Sequence, residues 1–158
     1  MSELSHVGPS GEAKMVDVTE KPVTDRHARA GGVIVMQPQA LQAVVENQVA
    51  KGDVLAVARV AGILAAKRTA ELIPLCHSVP LSDVQLSLTP DPAIPGIRAE
   101  SSVRSTGRTG VEMEAILAVS VALVTVYDMT KALDKSMSIS DIRLLEKSGG
   151  RTGNWPRP

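Results

Sequence analysis

One long apolar stretch, from about Gly110 to Asp134, constrains this chain more than any other segment. Glu112 and Glu114 open it, Asp128 and Lys131 close it, and Ala, Val, Leu and Ile fill the middle. It is too long and uninterrupted for one strand, so it predicts a helix despite its β-branched residues. At about 1.5 Å of rise per residue, Glu114 and Asp128 then stand roughly 20 Å apart. Within one subunit the two charged ends cannot meet. Either each end does ordinary helix-end work, or a symmetric second copy brings two such ends together at an interface.

The remainder of the chain supplies the partners such a helix needs. Val33 to Met36 reads as a short strand and Pro38 to Asn47 as a short helix, with Pro38 suited to its first turn. Asp53 is placed to cap a second helix over Val54 to Leu72, and Pro74 ends it. Val84, Leu86 and Leu88 alternate with polar residues, and so do Ile97, Ala99, Ser101 and Val103. With Pro92, Pro95 and Gly96 between them, these runs predict a hairpin. Ser138 to Leu145 is expected to be a last strand. The order predicts an α+β fold, an antiparallel sheet with helices packed on one face, for which a ferredoxin-like split βαβ arrangement fits. We expect a single domain over 1–158, with a loosely held arm over about 1–30 and a mobile Gly-rich tail over about 147–158. Both major helices are apolar on too many faces for a monomer, so a homo-oligomer is expected.

Composition narrows the function. Lys plus Arg and Asp plus Glu balance at 17 each, which argues against a nucleic-acid surface as the main business. Phe is absent, so aliphatic residues and Ala must fill the core by close backbone approach. Cys76 is the single cysteine, which excludes an intrachain disulfide and suits a reducing compartment. One Cys and three His argue against a zinc site within one chain, and no metal site is expected. The N-terminus has no apolar run to serve as a signal peptide. Ala115 to Tyr127 falls short of a membrane span, so a cytoplasmic protein without a membrane partner is expected.

Several side chains could carry chemistry, and each has a plainer reading. Lys51 and Arg108 each precede a helix start, where the dipole disfavours a cation. As surface cations they need no explanation; together with helix N-terminal amides they could hold an anion. Ser105 to Gly110 has the small residues a phosphate approach needs, without the order of a P-loop. Glu112 and Glu114 suit a helix N-terminus, and point roughly 200° apart, so they are not a paired-carboxylate site in one subunit. Asp128 and Lys131 share a face, either as a surface ion pair or as a proton-transfer couple. His77, after Leu75 and Cys76, lies on a loop between helix and strand, where function concentrates. A Cys76 nucleophile is not expected, because adjacent residues rarely aim at one target. The tail from Lys147 through Gly149, Gly150 and Arg151 is a flexible end or a basic lid over phosphates.

Taken together, these segments resemble one family. Met15-Val16-Asp17-Val18, Lys51-Gly52-Asp53-Val54, Ala65-Ala66-Lys67-Arg68-Thr69, Leu72-Ile73-Pro74-Leu75-Cys76-His77, Thr109-Gly110-Val111-Glu112-Met113-Glu114-Ala115, Tyr127-Asp128-Met129 with Lys131-Ala132, and Lys147-Ser148-Gly149-Gly150 occur in order. This pattern resembles the cyclic pyranopterin monophosphate synthase family, molybdenum cofactor biosynthesis protein C (MoaC), from about Met15 to Gly153. The resemblance implies a ferredoxin-like lyase, assembled as a hexamer (a trimer of dimers) with its site at a dimer interface. It implies rearrangement of 3′,8-cyclised dihydro-GTP, made by a radical S-adenosylmethionine GTP cyclase, into cyclic pyranopterin monophosphate with release of pyrophosphate. Asp128 would be the catalytic acid/base, with Lys51 and Lys131 assisting. Leu75, Cys76, His77, Glu112, Met113 and Glu114 would line the substrate site. Arg108 and Lys147 are candidate phosphate contacts. No cofactor is required, although Mg²⁺ could accompany the phosphates. Ser78 stands where the family commonly has Pro, and Thr130 where it often has Cys; neither change removes a functional side chain. The competing readings are a non-catalytic oligomeric nucleotide- or pterin-binding module, and an interaction domain serving a neighbouring enzyme.

Overall fold

The computed structural model describes residues 6–151 and 153–156. The first five residues of the expected arm, and Thr152, Arg157 and Pro158 of the expected tail, lie outside the described residues. The elements in order are β1 (Thr24–Val35), α1 (Pro38–Val45), α2 (Val54–Lys67), α3 (Thr69–Leu72), β2 (Leu81–Asp91), β3 (Gly96–Gly107), α4 (Glu112–Thr130), β4 (Ser138–Ser148) and β5 (Trp155–Pro156). They form one antiparallel sheet in the order β2-β3-β1-β4-β5. Without β5, this is the ferredoxin-like split βαβ order expected from the sequence. The fold is α+β.

The first strand is the largest departure from the sequence reading. It begins at Thr24 instead of Val33 and runs down the centre of the sheet, so residues 24–30 belong to the sheet rather than to an arm. Its core face is Ala28, Ala30, Gly32 and Ile34, mostly too small to register as hydrophobic alternation. Gly32 is required there, because a Cβ would lie 2.9 Å from Val119 and 3.0 Å from Leu123 of α4. The tail also differs from the expectation. Lys147 and Ser148 belong to β4, and β5 pairs with that strand. The expected helix over Val54 to Leu72 divides at Arg68. Thr69 Oγ1 donates there to the carbonyls of Ala65 and Ala66, which closes the end of α2.

Helix α4 lies over β1, β3 and β4, and α2 lies beside α4 and over β2. The join is close because Gly62 of α2 faces the backbone of Ala118 and the side chain of Ala122. Asp53 caps α2 by accepting from the Ala56 amide at 2.9 Å, as its position predicted. By length and composition α4 could cross a membrane, but half of it is buried, against the sheet and α2. The opposite sheet face is polar. There Arg29 donates to Glu100 and Glu146, and His27 bonds Ser102 at 2.9 Å.

Candidate active site

The apolar burial that fixes α4 also fixes what stands at its two ends. At its C-terminal end, Asp128 and Lys131 share a face, and the ammonium of Lys131 donates to Oδ1 at 2.8 Å. Lys51 arrives from the loop before α2, where Gly52 turns the chain at φ +101°. Its Nζ donates to Oδ2 of Asp128 at 2.9 Å and to the Asp128 carbonyl at 3.0 Å. All three side chains are about half exposed. Hydrogen bonds from Lys131 and Lys51, then their charges, hold the Asp128 carboxyl down to about 2. Asp128 is therefore a carboxylate across the neutral range and a weak base. The same contact raises the pKa of Lys131. The mobile protons of this cluster sit on nitrogen, with the carboxylate fixed between two ammonium groups.

At the N-terminal end, the Glu112 carboxylate pairs with Lys147 of β4 at 2.8 Å. Glu114, 4% exposed, is raised to about 7, first by burial and further by the charge of Glu112. Leu75, Cys76 and His77 are half-buried in the loop between α3 and β2. Burial pushes the Cys76 thiol up, and Glu114 and Glu112 add to it. A thiol held protonated in this way is a poor nucleophile. His77 Nε2 lies 2.7 Å from the carbonyl oxygen of Val16. Met113 is exposed on the first turn of α4.

Beside this end lies a cavity of about 560 Å³ whose charged lining includes Lys21, Arg26, Arg108, Glu112, Lys147 and Arg151. Two glycines shape its wall. Gly149 has φ +93° and a Cβ there would lie 2.0 Å from the Asp25 carbonyl; one on Gly150 would meet the Arg26 guanidinium. Thr24 also lines the cavity, and its Oγ1 is buried without a hydrogen-bond partner among the described residues. Five cations against one carboxylate, with an unpartnered hydroxyl, suit an anion carrying several oxygens. Sequence reasoning selected Arg108 and Lys147 but not Lys21, Thr24 or Arg26, because those three lay in the presumed arm. For Thr24 and Arg26 the signal is the β1 alternation, which places them on the same face as Ala28 and Ala30.

The candidates thus form two groups. Lys51, Asp128 and Lys131 meet at one end of α4. His77, Glu112, Glu114, Arg108 and Lys147 lie around the other, about 20 Å away along the helix at 1.5 Å per residue. Among the described residues, no three His, Cys, Asp or Glu side chains gather as a metal-binding group.

Fold and side chains define an α+β protein with a largely basic cavity and a separate Lys51–Asp128–Lys131 cluster. Residues 15–150 match the MoaC family, and the chain belongs to it. Among its relatives is a protein of Chloroflexus aurantiacus named cyclic pyranopterin monophosphate synthase, 57% identical over 99% of this chain and 96% of the relative. Proteins of the same name from Cereibacter sphaeroides and a Methylobacterium species are each 57% identical over 98% of this chain, and over 98% and 97% of their own lengths.

Proposed function

We propose that this protein is a cyclic pyranopterin monophosphate synthase, a lyase that converts 3′,8-cyclised dihydro-GTP into cyclic pyranopterin monophosphate and pyrophosphate. The observation that carries this reading is 57% identity, over nearly the whole of both chains, to proteins of that name. The cavity and the Lys51–Asp128–Lys131 cluster suit such a reaction. Turning a triphosphate into a cyclic monophosphate requires a hydroxyl oxygen to bond the α-phosphorus while the bond to the β-phosphate oxygen breaks. The hydroxyl proton must go to a base, and charge grows on the departing pyrophosphate. Arg26, Arg108, Lys147 and Arg151 would neutralise that charge. Lys51 and Lys131 would exchange protons with substrate, and the Asp128 carboxylate would hold both ammonium groups in place and stabilise their charge. Leu75, Cys76, His77, Met113, Glu112 and Glu114 would contact the base and sugar portion.

The reaction involves no net redox change and so requires no cofactor of its own; Mg²⁺ would enter only with the substrate phosphates. A radical S-adenosylmethionine GTP cyclase would supply the substrate, in the cytoplasm, without nucleic acid or membrane. The active assembly would be a homo-oligomer, a hexamer built as a trimer of dimers. Two features support a shared site. Val57, Val60 and Leu64 form an exposed apolar stripe on α2. Glu114 is buried, and the groups that shift its pKa include no cation; a second copy could bring its Lys51–Asp128–Lys131 end to this position.

Conversion by the purified protein, followed as pyranopterin and pyrophosphate, tests the reaction beside Asp128→Asn. Turnover in the parent with near loss in the variant is expected. A folded parent that binds substrate without turning it over would favour the binding-module reading. Co-assembling inactive Lys51→Ala and Glu114→Gln chains should restore some activity, and no recovery in well-mixed oligomers would refute a site shared through those residues.

A further inference from the structure

We propose that the segment Val16 to Thr19 is a positioning strap, which sets the His77 tautomer with its proton on Nε2 and leaves Nδ1 as the basic nitrogen. A backbone carbonyl can only accept a hydrogen bond. At 2.7 Å from Val16 O, His77 Nε2 must therefore be the donor. In a neutral imidazole the other nitrogen then carries the lone pair. Among the described residues Nδ1 has no hydrogen-bond partner, so it is the nitrogen open to a ligand.

The strap has its own internal structure. Asp17 Oδ1 accepts from the Thr19 amide at 2.9 Å and from Thr19 Oγ1 at 2.6 Å. These bonds fold the backbone between the Val16 and Thr19 carbonyls. The second of those carbonyls accepts from the Arg108 guanidinium. Four residues thus hold two side chains from separate loops, one before β2 and one before α4. The chain then turns through the Lys21 amide to Val18 carbonyl bond, at 3.0 Å, and enters the cavity wall at Lys21 and Pro22. Val16 and Asp17 are positioning residues, acting through the imidazole rather than on a substrate. Their effect on turnover rests on the synthase reading; the tautomer does not.

The test is ¹⁵N NMR of the imidazole nitrogens in the full-length, ligand-free protein at about pH 8, with the His77 signals assigned by their loss in His77→Gln. The parent should show one protonated nitrogen at Nε2 and an unprotonated Nδ1. Asp17→Asn keeps an acceptor for Thr19 and should keep that pattern. Asp17→Ala removes the turn and should shift His77 toward a tautomer mixture, and Thr19→Ala should do so more weakly. In the turnover assay Asp17→Ala should lower kcat by about tenfold or more, as lost outer partners of a functional histidine do, with partial rescue in Asp17→Asn. A parent His77 protonated on Nδ1, or a pattern unchanged in a folded Asp17→Ala protein, would overturn the strap. The expected tautomer in a protein without synthase activity would support the strap and count against the reaction.

Discussion

Gly62→Ala sets two effects of opposite sign against each other, and the structure decides between them. In an exposed helix interior, Ala in place of Gly stabilises by about 1 kcal/mol, through lower backbone entropy in the unfolded chain. At Gly62 the added methyl would lie 2.4 Å from Leu86 Cδ2, 2.6 Å from the Ala118 carbonyl oxygen and 3.2 Å from Ala122 Cβ. The Leu86 tip can rotate away. The Ala118 carbonyl cannot, because it belongs to the backbone of α4. The two helices must separate by several tenths of an ångström, and overpacking of this kind costs about 1–3 kcal/mol. The net expectation is a loss of about 1 kcal/mol, hence a fall in Tm of about 2–4 °C for a chain of this size. Calorimetry of parent and variant at equal protein concentration measures it, since assembly makes Tm depend on concentration. Turnover should fall too, because α4 carries Glu112 and Glu114 at one end and Asp128 at the other. A Gly62→Ala protein as stable as the parent, or more so, would refute the close α2–α4 contact.

Three further outcomes are expected. The Asp128 carboxyl, followed by ¹³C NMR, should titrate near 2 in the parent and rise toward the ordinary aspartate range in Lys51→Ala and in Lys131→Ala. Its carboxylate form is present above that midpoint and lost only as pH falls through it, so Asp128 should contribute no acidic limb to activity above about pH 4; a midpoint of about 4 in the parent would contradict the double clamp. Gly149→Ala requires a β-carbon at positive φ and against the Asp25 carbonyl, so it should displace the tail from β1, lower stability by about 1 kcal/mol or more, and weaken binding of inorganic pyrophosphate; unchanged pyrophosphate binding would remove the tail from the anion site. Cys76 should react with iodoacetamide more slowly than free cysteine at neutral pH, and Cys76→Ser should keep turning over, whereas abolished turnover in a folded Cys76→Ser protein would restore a nucleophilic role.

The parts of this molecule that were readable in advance are those whose signal is local. Alternation over Val84 to Leu88 and over Ile97 to Val103 belongs to β2 and β3. Asp53 caps α2, and Asp128 pairs with Lys131 three residues away. The central strand was less readable because its buried face is Ala, Ala, Gly and Ile, selected by the nearness of α4 rather than by hydrophobicity. Without that strand's pattern, the sequence does not place Thr24 and Arg26 at the candidate site.

By itself the sequence determined that one uninterrupted apolar helix separates two sets of charged residues, and that acidic side chains at one end cannot reach the basic ones at the other. Helical rise and side-chain period depend only on neighbouring residues, so a linear string carries them. Only the tertiary structure decided which distant groups complete each set. Lys51 reaches Asp128 because the loop before α2 lies at the C-terminal end of α4. His77 turns Nε2 to the Val16 carbonyl, across 61 residues of chain, because the strap lies beside the loop before β2. Lys147 finds Glu112 because β4 runs to Ser148 beside the start of α4. Each of these contacts depends on how strands and helices stack in space, and no local pattern in the string records that closure.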